Sequence, residues 1–166
     1  MEVVIAPDPE EAAGHVAAIV AGAVRRLSQP VLGLATGSSP LAAYRLLIEA
    51  HRRGELSTAH ATAVLLDEYV GLPPDHPATY RAFIRRELID QIDLPPDRLF
   101  APDVDADDLG AACERYDRLL GELGGVDVQV LGVGTDGHIA FNEPGSSLAS
   151  RTRVKTLTRA TRADNA

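Results

Sequence analysis

A chain of 166 residues with 45% apolar and 24% charged residues is long enough for one domain with a buried core and too balanced to be disordered. Its net charge of −8 argues against broad nucleic-acid binding, which relies on Lys and Arg neutralising phosphates, but leaves room for one small anion held by local donors. Cys113 is the single cysteine, which excludes an internal disulfide framework; apolar stretches such as Val16 to Val24 are too short to span a bilayer, no secretory leader is expected, and a cytoplasmic setting follows.

Val3-Val4-Ile5 reads as a first strand. Asp8-Pro9-Glu10-Glu11 then starts a helix, with Asp8 as N-cap, proline in the first turn and Glu11 three residues after the cap. That helix should run to about Leu27. Val31 to Leu34 is the next strand, followed by the turn Thr36-Gly37-Ser38-Ser39-Pro40. Leu41, Tyr44, Leu47 and Ile48 recur at helical spacing, and Gly54 is placed to end their helix. Ala63 to Leu66 forms a third strand, ending in Asp67-Glu68-Tyr69. A loop with Pro73, Pro74 and Pro77 leads to a helix over Thr79 to Ile89. Pro95 to Asp108 is linker-like, although it holds the apolar pair Leu99-Phe100. Asp107 to Leu123 is helical, and Val126 to Leu131 is a buried strand running into Gly132-Val133-Gly134. Val154 to Leu157 reads as one more strand, after which the sequence stops at Asp164-Asn165-Ala166 with no helix to cover it. Strands alternating with helices predict an α/β protein: a doubly wound, mainly parallel, Rossmann-like sheet with helices on both faces. A single domain over 1–166 is expected, incomplete at its C-terminus.

Ligands of such sheets collect at the carboxyl ends of the strands, and three strand-end loops carry distinctive chemistry. In the first, Gly37 lets the backbone approach a ligand, Ser39 is placed to cap the helix, and the helix N-terminus suits a phosphate. A Walker loop is excluded, because the Gly-Lys-Ser/Thr ending is missing. In the second, the adjacent carboxylates Asp67 and Glu68 point in different directions at a strand end, so one at most faces a shared pocket. A carboxylate desolvated there gains basicity and can take a proton from carbon beside a carbonyl; the plainer alternative is a helix-capping Asp beside a solvated Glu. The third, Gly132-Val133-Gly134-Thr135-Asp136-Gly137-His138-Ile139-Ala140-Phe141-Asn142-Glu143-Pro144, surrounds an imidazole with Asp136 and Glu143 on a glycine-rich path that holds Asp136 in place. A carboxylate–histidine metal site is disfavoured, since no cysteine cluster or second histidine lies nearby. No Gly-x-Ser-x-Gly elbow supplies a serine nucleophile.

Taken together, these stretches resemble the glucosamine-6-phosphate deaminase family. The likeness lies in Leu32 to Pro40, in Leu66-Asp67-Glu68-Tyr69-Val70-Gly71-Leu72 with His76-Pro77 and Tyr80, and in Gly132 through Arg162. It implies conversion of glucosamine 6-phosphate and water into fructose 6-phosphate and ammonia, with no cofactor and no metal. It also implies that His138 opens the sugar ring with Asp136 and Glu143 as partners. Asp67 would shuttle a proton between C2 and C1, and Thr36, Gly37, Ser38 and Ser39 would hold the phosphate. Ser146, Ser147, Arg153 and Lys155 match positions of an interface site for N-acetylglucosamine 6-phosphate in hexameric members, which implies a homo-oligomer. Family chains continue past Ala166 with an Arg and a Lys of the phosphate site, so weaker substrate binding is expected of a protein ending here. Two rivals are a 6-phosphogluconolactonase, which shares a Gly-x-Asp-Gly-His type loop, and a sugar-phosphate-sensing domain of a transcription regulator. The run Ile139 to Glu143 and the segment Asp67 to Val70 favour the deaminase over the first. Against the second, no basic helix-turn-helix fits before Val31.

Overall fold

The computed structural model of the chain describes residues 2–159. Helix α1 (Pro9–Arg26) starts as its sequence dictates. The Asp8 carboxylate accepts the amide hydrogen of Glu11 at 2.8 Å, Glu10 and Glu11 sit at the positive end of the helix dipole, and Arg25 and Arg26 sit at the negative end. Ala13, Ala17, Val20, Ala21 and Val24 form its buried stripe. Their small side chains let α1 lie close against α2 (Leu41–Arg52), whose own buried stripe is Ala43, Tyr44, Leu47 and Ile48.

Four parallel strands make one sheet in the order β3-β2-β1-β4: β1 (Val31–Leu34), β2 (Thr62–Leu65), β3 (Leu99–Phe100) and β4 (Val128–Gln129). The chain steps outward from β1 to β3, then returns to the other side of β1. That reversal opens a crevice at the carboxyl ends of β1 and β4. All four residues of β1 are buried, as a central parallel strand covered on both faces requires. Leu32 and Leu34 with Ala63 and Leu65 face the core shared with α1, α2 and α3 (Tyr80–Glu87). The alternate residues face the other way. There Gly33 lies under the Gln129 side chain, which occupies the place a Cβ would take: one built there would stand 1.9 Å from Gln129 Oε1. Helix α4 (Leu109–Glu122), capped by Asp108, covers this second face across a cavity of about 590 Å³ bordered by Val64, Gln129, Cys113, Tyr116 and Leu120. The expected doubly wound α/β sheet is thus present. Among the described residues no helix is long and apolar enough to cross a membrane.

Several expectations are corrected. Val3 to Ile5 forms no strand: it has no ladder partner among the described residues, and Ile5 is 92% exposed. Val154 to Leu157 joins no strand either; it runs along the rim of the larger cavity. The strand expected over Val126 to Leu131 shrinks to Val128–Gln129 and is half-exposed, because it lies at the edge of the sheet. The linker-like segment contains the opposite edge strand, and its apolar pair Leu99-Phe100 is β3 itself, paired with Ala63 and Val64. The end of the chain at Asp164-Asn165-Ala166, and the family-like segment from Ala160 to Arg162, lie outside the described residues.

Candidate active site

The first loop leaves β1 at Ala35 and is pinned by α2. The buried Tyr44 hydroxyl donates to the Ala35 carbonyl at 2.6 Å and accepts the Ala35 amide hydrogen at 3.0 Å. Gly37 has φ +90 with nothing near its missing Cβ, so backbone conformation is what asks for glycine there. Ser39 does not cap α2. The N-cap is Pro40, which has no side chain able to accept, and no acidic residue occupies the first turn. The other three α-helices each carry a side-chain oxygen cap, from Asp8, Thr79 and Asp108. The positive end of α2 thus meets the loop Thr36 to Ser39 without a capping side chain.

The second loop leaves β2 and is pinned by α4, whose Tyr116 hydroxyl donates to the Leu65 carbonyl at 2.6 Å. Two residues on, Asp67 borders the larger cavity. Its carboxyl is pushed up to about 6, first by burial and then by the neighbouring Glu68 charge, against a hydrogen bond from the Phe141 amide. Glu68 turns elsewhere: it accepts the amide hydrogens of Tyr69, Tyr80 and Arg81, each at 2.9 Å. The helix cap foreseen for this pair is therefore the glutamate, and both residues border the cavity, with the Glu68 oxygens engaged by the amides.

The third loop follows β4. Gly134 donates to the His138 carbonyl at 2.8 Å and accepts from Gly137 at 3.0 Å, closing a turn around Asp136. One Asp136 oxygen accepts the His138 amide hydrogen at 3.0 Å and lies 2.7 Å from His138 Nδ1. The His138 backbone amide first, and its imidazole after it, hold the Asp136 carboxyl below the usual range. An ionised carboxylate only accepts, so Nδ1 carries the proton of the neutral ring and Nε2 offers a lone pair. The imidazole packs onto Gly134, where a Cβ would stand 2.1 Å from its Cε1. Ile139 and Asn142 bridge each other through Ala140, which adopts φ 53. This hairpin brings Glu143 back: donor atoms of Asp136, His138 and Glu143 all lie within 4.8 Å of one another. The trio has the donor types for a divalent cation, but Nδ1 and the Asp136 oxygen bond to each other rather than spreading around a common centre.

An aromatic clasp joins the loops. Ring centroids of Tyr69 and Tyr80 are 4.8 Å apart, those of Tyr69 and Phe141 5.1 Å, and those of Tyr80 and Phe141 5.6 Å. The Tyr80 hydroxyl donates to Tyr69 at 3.2 Å and is hydrogen-bonded to the Thr36 side chain. Asp67 thus touches the histidine loop through Phe141, although His138 itself does not line the cavity that Asp67 borders. Ser146, Ser147, Arg153 and Lys155 gather instead, with Glu143, around a smaller cavity of about 370 Å³. Arg153 reaches back to the Asn142 side chain at 2.9 Å. Sequence reasoning missed Tyr44 and Tyr116 as loop anchors. The available signal was a phenol on a buried helix stripe, whose hydroxyl must find a partner.

A doubly wound parallel sheet with an acid–base cluster at its switch point is the class of protein these features define. Residues 8–164 match the family of glucosamine-6-phosphate isomerases/6-phosphogluconolactonase, and the chain belongs to it. The glucosamine-6-phosphate deaminase of Beutenbergia cavernae is 58% identical over all 166 residues, and that of Mycolicibacterium smegmatis 53%. The chain spans 64% of the length of each of these relatives. A solved monomeric glucosamine-6-phosphate deaminase superimposes with a TM-score of 0.96 at 44% identity, covering 99% of this chain and 68% of that one. The 6-phosphogluconolactonase of Thermotoga maritima matches over 84% of this chain and 62% of its own, at a TM-score of 0.67 and 20% identity, which is a likeness of fold alone.

Proposed function

We propose that the chain carries the proton-transfer residues of a glucosamine-6-phosphate deaminase, releasing ammonia from glucosamine 6-phosphate and water to leave fructose 6-phosphate. The single observation that carries this reading is the pairing of two differently tuned acid–base groups on adjoining loops. One is a desolvated carboxylate, Asp67, bonded to the loop that holds the Asp136–His138 dyad. Names borne by relatives at 58% and 53% identity support the same substrate.

In this mechanism His138 takes the anomeric hydroxyl proton and returns one to the ring oxygen, which opens the pyranose. Asp136 orients the ring through Nδ1, and Glu143, within 4.8 Å of the pair, is their partner in this step. Asp67 then removes the C2 proton and delivers it to C1 through an enolamine. Water adds at C2 of the resulting imine, and ammonia leaves. Thr36, Gly37, Ser38 and Ser39, at the end of α2 that lacks a capping side chain, bind the phosphate. No step calls for a cofactor or a metal. Ser146, Ser147, Arg153 and Lys155 form a second anion site suited to N-acetylglucosamine 6-phosphate, supported by their common cavity. The proposed partner is a small sugar phosphate rather than nucleic acid or membrane, in the cytoplasm. A homo-oligomer is the regulated form of the proposal, to be checked by sedimentation; the solved relative at 44% identity is itself described as monomeric.

Ammonia release from glucosamine 6-phosphate tests the reading, run beside a chain of the relatives' full length and with 6-phosphogluconolactone as the rival substrate. Deamination is expected, with the longer chain binding substrate more tightly. Rapid lactone hydrolysis without deamination would overturn the reading.

A further inference from the structure

The β2 strand ends in two carboxylates, and the mechanism above uses only the first. Glu68 is half-buried and accepts three amide hydrogens. Two of them, from Tyr80 and Arg81, are the opening N–H groups of α3, which no carbonyl of that helix can take. Thr79 supplies the next acceptor, for Ala82 at 3.2 Å. A side chain from the end of β2 therefore caps a helix that starts twelve residues later. Glu68 also borders the cavity, but both of its carboxylate oxygens are engaged by these amides, whereas its neighbour Asp67 accepts from the Phe141 amide.

We propose that Glu68 is the positioning residue for Asp67: by clamping the strand end to the N-terminus of α3 it fixes which carboxylate meets the substrate, and it anchors a second negative charge beside that carboxylate. This rests on the reading of Asp67 as the base. The clamp also seats Tyr80, whose ring and hydroxyl join the Tyr69, Phe141 and Thr36 segments, so one carboxylate serves both the base and the phosphate loop.

Charge follows from the same geometry. Burial raises Asp67 most, Glu68 raises it next, and the Phe141 amide opposes both. Other polar groups face Asp67 from the surrounding elements: the Tyr80 phenol from α3 and the Tyr116 phenol from α4. Farther along the cavity wall, Asp117 is engaged with Arg151 and Thr152, Arg153 with Asn142, and Asp103 with Arg115, and Lys155 lies at the rim. Glu68 is thus the anion that bears on the base directly.

Carboxyl NMR titration of the whole chain tests this without needing turnover. Glu68→Gln keeps the oxygen that accepts from Tyr69 and Tyr80 but removes the charge. The Asp67 midpoint is expected to fall from about 6 by about half a pH unit or more. Glu68→Asp keeps the charge and loses reach; faster hydrogen exchange at Tyr80 and Arg81 is expected, with the Asp67 midpoint nearer the parent. A cap that was merely structural would change exchange and leave the midpoint alone. An unmoved Asp67 midpoint in folded Glu68→Gln overturns the proposal. Should that variant not fold, unchanged exchange in Glu68→Asp overturns it. Retained deamination by Asp67→Asn would instead sink the assignment of the base.

Discussion

Asp67 is ionised at neutral pH only against the preference of its surroundings, and this links its chemistry to stability. In the unfolded chain its carboxyl titrates near the ordinary 3.8; in the fold it is pushed up to about 6. Between those values the folded state holds more protons than the unfolded state, so this group's contribution falls as pH rises through the window and is lowest above about 6. Asp67→Asn should therefore raise stability at pH 7.5 by ~1–3 kcal/mol while leaving stability at pH 4 nearly unchanged. Urea titrations at the two pH values check this, and equal effects at both would contradict it. If Asp67 is the base of the proposed deamination, the same ionisation should make that activity fall as pH drops below about 6, as an initial-rate profile would record. At Gly134 the constraint is steric. An added Cβ meets the His138 ring at 2.1 Å, so Gly134→Ala should displace the imidazole and cut turnover by ~10² or more with the circular dichroism spectrum unchanged. Asp67 and His138 stood out as candidates from their strand-end settings. The need for Gly134 was not, because it comes from a ring folding back four residues onto the backbone.

Two of the three site loops begin where a tyrosine from a neighbouring helix fastens the strand end. Tyr44 holds Ala35 at the end of β1, and Tyr116 holds Leu65 at the end of β2. Tyr44→Phe strands both an amide hydrogen and a carbonyl in a part-buried place and should lower stability by ~1–3 kcal/mol. It should also raise KM for the sugar phosphate more than it lowers kcat, since the loosened segment is the proposed phosphate loop; thermal unfolding and steady-state kinetics measure both effects. Helix starts were readable wherever the cap is local, as at Asp8 and Thr79. The cap itself was not readable at α2, where Pro40 takes the place of Ser39, nor was the second cap that Glu68 gives α3 from twelve residues away, because sequence neighbours carry no sign of a distant acceptor. The pair Leu99-Phe100 was likewise hidden: two residues are too few for a period, and only pairing with β2 makes them a strand.

At the scale of the molecule, the order β3-β2-β1-β4 explains why residues from separate stretches meet. The reversal between β1 and β4 places the proposed phosphate loop beside the histidine loop, and the aromatic clasp of Tyr69, Tyr80 and Phe141 ties the β2 loop to the histidine loop. Alternation of strands with helices made the class of fold legible. The outer strands were misjudged because hydrophobic runs such as Val3 to Ile5 show what a segment can pair with, not whether a partner lies beside it. The account depends on Asp67 and His138 acting on one bound sugar phosphate. Ammonia and fructose 6-phosphate formed from glucosamine 6-phosphate should be measured for the parent chain, Asp67→Asn and His138→Gln, with folding verified in each. Equal amounts of the two products from the parent, and losses of at least ~10² in both variants, are predicted. Undiminished release by either folded variant would contradict the account.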